Sequence, residues 1–309
     1  MSSLFAFPGQ GAQRPGMLQG LVGDASGRGC LEEASDVLGE SLLRLDSREA
    51  LASTRAVQLC LLVAGVAAAR GLLQRNAPPD YVAGLSIGAY PAAVIAGALD
   101  YADAVRLVAL RGELMQRAYP SGYGMTALIG LDQSSVERLI DSESEPVFLA
   151  NINAEQQFVI AGSDNAMQRV AQRALGMGAR AAKRLAMSVP SHCPLLEKPA
   201  MELAQAFTAV NLRRPGITFL SSNSARPVHT AEALRDDLAL NMCRRVDWAA
   251  TVSTAWERGV RLLVEMPPGA VLSGLARPVF TAGTVVACQD ARADTLDVLL
   301  RREAADFSP

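Results

Sequence analysis

Five short stretches of this chain are apolar at nearly every position: LFAF (4–7), YVAGL (81–85), ITFLS (217–221), RLLVEM (261–266) and TVVAC (284–288). A strand with one wet face alternates apolar and polar side chains, whereas a strand covered on both faces has no need to. Helix-length segments lie between the runs, at 54–75, 87–97, 101–117 and 248–258. Buried strands separated by helices predict an α/β fold built on a mainly parallel sheet.

The middle of the chain follows another pattern. Strands are expected at 125–131, 147–153, 156–162 and 182–189, with helices at 134–142 and 164–176. The second helix places Met167, Val170, Ala171, Ala174 and Leu175 on one face by helical spacing. The resulting β-α-β-β-α-β order is the ferredoxin-like arrangement. SGYG (121–124) and the prolines at 190 and 194 punctuate its ends. Residues 123–190 are therefore expected as a small unit inserted into a large α/β domain formed by 1–122 and 191–309, with a cleft between the two.

Of the 309 residues half are hydrophobic, enough for a sizeable core, and the net charge of −2 marks no nucleic-acid surface. The five cysteines are scattered without a C-x-x-C pair, which fits reduced thiols in the cytoplasm. The N-terminal MSSLFAFPGQG has no basic segment ahead of a long apolar one, so no signal peptide is expected. The apolar run 59–69 is too short to span a bilayer and reads as a buried helix. No metal-ligand spacing and no bound cofactor are indicated.

Chemistry is suggested first by GLSIG (84–88), a G-x-S-x-G sequence after a buried strand and before a helix. A nucleophile elbow has that context: a tight turn exposes the serine, here Ser86, at a helix N-terminus. A serine capping an ordinary strand-to-helix loop would look the same. A nucleophilic serine needs a base, and the chain has two histidines, His192 in SVPSHCPLL and His229 in the polar SARPVHT. His192 sits where the small unit hands back to the large one; His229 reads as exposed. Arg111 lies among Leu107, Val108, Leu114 and Met115 on the apolar stripe of its helix, whereas Arg106 and Arg117 do not. A snorkelling arginine and a guanidinium set in a cleft to grip a carboxylate both fit. FPGQGAQRPGM (7–17) ends the first strand in a glycine-rich turn without the G-K-[ST] of a phosphate loop.

Taken together, FPGQGAQ, GLSIGAY, LRGELMQ, ANINAEQQFVIAG, SVPSHC, VDW and VEMPPGAVLSGL resemble, in order and spacing, the malonyl-CoA:acyl-carrier-protein transacylase family. The resemblance covers nearly the whole chain. It implies an α/β-hydrolase-like large domain with a ferredoxin-like insertion and ping-pong transfer of a malonyl group from malonyl-CoA to the thiol of an acyl carrier protein. It further implies Ser86 as nucleophile, His192 as base, backbone N–H groups of Gln10 and Ile87 as oxyanion hole, and Arg111 as partner of the malonyl carboxylate. Asn241 matches the amide residue that helps backbone carbonyls orient the histidine. Leu85 and Ala89 stand where the family has histidine and glutamate. That elbow looks closest to the malonate decarboxylase epsilon subunit, whose acceptor is the carrier subunit of that complex. The alternatives are a transacylase of fatty-acid or polyketide synthesis and, from other classes, a serine esterase or hydrolase, or an inactive docking subunit. A hydrolase should supply an acid for its histidine.

Overall fold

The computed structural model describes residues 2–305. Its strands are β1 (Ser2–Phe7), β2 (Tyr81–Gly84), β3 (Tyr123–Ile129), β4 (Val147–Ala154), β5 (Gln157–Ser163), β6 (Ala181–Arg184), β7 (Thr218–Leu220), β8 (Pro227–Val228), β9 (Val246–Asp247), β10 (Val260–Glu265) and β11 (Thr284–Ala287). They form a mixed α/β fold with two sheets.

The larger sheet has the order β11-β10-β1-β2-β7-β8. Every pairing in it is parallel except that of β7 with the short edge strand β8. Both faces are covered, as uniformly apolar strands require. Phe5, Phe7, Val82, Leu262 and Val264 pack on one side with helices Thr54–Leu73 and Tyr101–Ala118. Leu4, Ala6, Ala83, Val260 and Leu263 pack on the other with Trp248 and Val252 of helix Trp248–Glu257. Helix Thr54–Leu73 is long and apolar enough to cross a bilayer, beyond the expected run, but 78% of its most apolar stretch is buried inside the fold. It is a core helix.

The smaller sheet has the order β6-β3-β5-β4-β9. Its first four strands are antiparallel, and β9, from far along the chain, adds in parallel beside β4 through Asn151↔Val246 and Ile152↔Asp247. Helices Gln133–Asp141 and Asp164–Gly176 cover one face over Leu128, Phe158 and Ile160. The other face, carrying Met125, Ala127 and Val159, looks toward the larger sheet.

Three expectations are corrected. The strand expected over 182–189 ends at Arg184, because the Arg184 guanidinium takes the carbonyls of Tyr123 and Met125 at 2.7 and 2.9 Å and the chain turns away toward Pro190. Leu175 is 49% exposed, since its helix is ending; Ala166 takes the buried place instead. The helix expected over 87–97 is a 3-10 turn, Ser86–Gly88, followed by Ala89–Ile95. Helices Ala25–Leu38, Glu197–Ala206, Ala231–Leu240 and Ala293–Ala305 carried no expectation.

Candidate active site

Ser86 stands directly after β2 with φ of 57°, in the left-handed region that a non-glycine residue occupies at a cost. The glycines around it make the turn possible by size. A Cβ on Gly84 would strike the backbone carbonyl of Gly88, and a Cβ on Gly88 would strike that of Phe7 at the end of β1. Gly9 is pressed against Leu85 in the same way, so the glycine-rich loop after β1 sits directly on the elbow.

His192 also has a left-handed backbone, φ 62°, and its N–H donates to the carbonyl of Met242 at 2.7 Å. Its Nδ1 faces two acceptors, the backbone carbonyls of Asn241 (2.9 Å) and Arg244 (3.2 Å). Nδ1 must therefore carry the hydrogen, which leaves Nε2 as acceptor, 2.8 Å from Ser86 Oγ. Burial is the main force pushing the His192 pKa down, to about 4; the Arg111 charge adds to it, and the two carbonyls work against it. The imidazole is thus neutral at ordinary pH and ready to take a proton.

Arg111 is fully buried. Nη1 donates to Gln58 Oε1 at 2.8 Å, while Nη2 donates to Asn241 Oδ1 at 3.2 Å and Ser86 Oγ at 3.3 Å. Among the described residues Nε has no partner, and the guanidinium stands 5.9 Å from the Tyr90 ring centroid. None of these neighbours is a carboxylate. An arginine at this depth with only neutral partners is costly and is a ready receptor for an anion. Burial accordingly lowers its pKa.

The structure brings Ser86, His192, Arg111 and Asn241 together and holds Arg106, Arg117 and His229 outside the group, the first two in surface pairs with Asp103 and Glu202. The amide of Asn241 does not touch the imidazole as expected. Its backbone oxygen does, while its side chain joins Arg111 to Asn223, Nδ2 donating to Asn223 Oδ1 at 3.0 Å. Gln58, fully buried, carries no expectation; its one mark in the sequence is that it directly precedes the apolar run 59–69. Its Nε2 also reaches Gln10 Oε1 at 3.3 Å, tying the loop after β1 to the arginine.

A cleft of about 220 Å³ opens over Ser86. Gln10, Leu85 and His192 line it from one side, and Met125, Asn151 and Asn153 from the smaller sheet. A serine hydrogen-bonded to a neutral imidazole, beside a buried cation whose described partners are all neutral, can take up an acyl group that carries its own negative charge.

The acyl transferase domain family matches residues 4–307. The malonyl CoA-acyl carrier protein transacylase of Escherichia coli K12 is 36% identical over 294 residues, 93% of this chain and 95% of that protein. The malonyl CoA-acyl carrier protein transacylase of Coxiella burnetii superposes with a TM-score of 0.92 at 32% identity, covering 98% of each chain. A malonyl-transacylase solved in complex with its type II PKS acyl-carrier protein superposes with a TM-score of 0.87 at 36% identity, covering 93% of this chain and 94% of that one.

Proposed function

The chain belongs to the acyl transferase domain family, and from that premise we propose that it moves a malonyl group from malonyl-CoA to the thiol of an acyl carrier protein. The observation that carries the reading is the buried Arg111, without a carboxylate partner among the described residues and 3.3 Å from Ser86 Oγ. It selects an acyl group that brings its own carboxylate.

In this mechanism Ser86 Oγ attacks the thioester carbon as its proton passes to His192 Nε2. Backbone N–H groups of Gln10 and Ile87 hold the oxyanion. The C–S bond breaks, and the imidazolium returns the proton to the departing CoA sulfur. The carrier thiol then gives its proton to His192 and attacks the malonyl ester, and Ser86 recovers its proton as the C–O bond opens. Asn241 and Arg244 orient the ring through their carbonyls, and Arg111 pairs with the malonyl carboxylate throughout. No cofactor is needed, and the chemistry suits a cytoplasmic protein. We read residues 123–190 as a ferredoxin-like insertion in a hydrolase-like frame of 1–122 and 191–309, joined by β9.

The relatives, all malonyl CoA-acyl carrier protein transacylases by name, support a carrier of fatty-acid or polyketide synthesis over the malonate decarboxylase carrier that the elbow suggested. Carbonyls rather than an acid behind His192 speak against a serine hydrolase. The assembled Ser86–His192 contact speaks against an inactive docking subunit.

The test is intact mass after brief exposure to malonyl-CoA and, separately, to acetyl-CoA. A malonyl adduct that discharges onto a carrier and is absent from Ser86→Ala is expected. Steady CoA release without an adduct would replace transfer with hydrolysis, and no turnover at all would leave a docking subunit.

A further inference from the structure

Hydrogen bonds close a ring around the reacting oxygen. It runs from Ser86 Oγ to His192 Nε2 (2.8 Å), through His192 Nδ1 to the Arg244 carbonyl (3.2 Å), and on to Asn223 Nδ2 (3.2 Å). From Asn223 Oδ1 it continues to Asn241 Nδ2 (3.0 Å), from Asn241 Oδ1 to Arg111 (3.2 Å), and from Arg111 back to Ser86 (3.3 Å). Asn223 is the member farthest from the chemistry, half-buried in the turn after β7.

The polarity of this ring is set at both ends. Arg111 can only donate and backbone carbonyls can only accept, so the two amides between them have one orientation each. Asn223 Nδ2 also donates to the Arg245 carbonyl at 2.9 Å, clamping two consecutive peptide groups, one of which holds His192. Its turn is itself anchored. The backbone N–H groups of Asn223 and Ser224 each donate to Ser221 Oγ at 3.2 Å, and that hydroxyl donates to the buried Asp237 carboxylate. The carbonyl of Ser222 takes the Asp247 N–H of β9 at 2.7 Å. A side chain held this firmly transmits position rather than filling a gap.

We infer that Asn223 is a positioning residue for two groups at once: its amide nitrogen sets one of the two carbonyls that aim His192, and its amide oxygen sets Asn241, which aims Arg111. This rests on the malonyl-transfer reading for its consequence in rate, though not for the geometry it predicts.

The experiment uses the full-length chain, whose two histidines give two resolvable imidazole signals, with Asn223→Ala and Asn223→Asp compared against wild type. Imidazole 15N spectra are expected to show His192 as a single Nδ1-protonated tautomer in wild type. Asn223→Ala should shift the His192 Nδ1 signal as the Arg244 carbonyl moves, while the Asn241 carbonyl keeps the tautomer and His229 is unmoved. Acylation by malonyl-CoA should fall about tenfold, part of the 10²–10⁴ that a placed base supplies, and the malonyl-to-acetyl ratio about fivefold. Asn223→Asp keeps the acceptor for Asn241 and loses the donor to the carbonyls. It should shift the His192 Nδ1 signal yet hold the malonyl-to-acetyl ratio within twofold, and it serves alone should the alanine variant fail to fold. An unchanged His192 Nδ1 signal, or rates for both thioesters that fall together with the folded fraction, would overturn the inference. Absence of any wild-type adduct would sink the transfer reading instead, while the imidazole signals still decide the role of Asn223.

Discussion

The Arg111 guanidinium lies 3.3 Å from Ser86 Oγ, and among the described residues its Nε has no partner and no carboxylate faces it. On the malonyl-transfer reading the arginine selects charged acyl groups. Arg111→Ala should cost malonylation of Ser86 about 3 kcal/mol, roughly a hundredfold, the scale for removing one member of a buried ion pair. Acetylation, which needs no counter-charge, should hold or rise. Single-turnover acylation with both thioesters measures the ratio; an equal loss for both would remove the selecting role.

As the proposed base, His192 is ready well below neutrality. Burial and then the Arg111 charge hold the His192 pKa down to about 4, so the imidazole can accept the Ser86 proton across the range where a free histidine is already charged. The acid limb of the acylation rate should accordingly centre near pH 4 rather than 6.5. A limb at 6.5 would mean that the imidazole is solvated during acylation.

Stability carries the same proton with the opposite consequence. Between pH 6.5 and 4 the unfolded chain takes up a proton that folded His192 refuses, so this residue weakens the fold as pH falls. Asp237 runs the other way: burial pushes its pKa up to about 6 from 3.8, so the folded state holds a proton that the unfolded chain releases, strengthening the fold as pH falls from 6. Asp237→Asn deletes the second effect. Its melting temperature should drop more steeply than that of wild type between pH 6 and 4; parallel curves would show that Asp237 does not titrate in that window.

Much of this was legible because burial leaves a mark on composition. β1, β2 and β10 read as strands from apolar runs alone, and Arg111 stood out as a charge on an apolar stripe. Gln58 was harder to single out, because its helix holds Arg55 and Arg70 as well. β8 and β9, of two residues each, are too short to show any period. The partners of His192 are backbone carbonyls, which every residue has, so no side chain announces them. Asn223 sits in SSNSA, a run whose residue types suit any turn.

Glycine at the elbow serves space rather than torsion. Gly88 has φ of −58°, which any residue adopts, yet a Cβ there would run into the Phe7 carbonyl, backbone at the end of a core strand that cannot yield cheaply. Gly88→Ala must therefore push the elbow off β1, costing about 1–3 kcal/mol as overpacking does, and the push displaces Ser86 from His192. Gly71 is the control: it lies within helix Thr54–Leu73 with open space where its Cβ would go. There alanine should add about 0.5–1 kcal/mol through helix propensity and leave acylation unchanged. Thermal melts paired with the amplitude and rate of Ser86 acylation separate the two. Gly88→Ala should lose stability and more than tenfold in rate, since a displacement near 1 Å at the reacting atoms has that scale of effect. A Gly88→Ala enzyme that melts and reacts like wild type would show that the elbow is looser than its packing indicates.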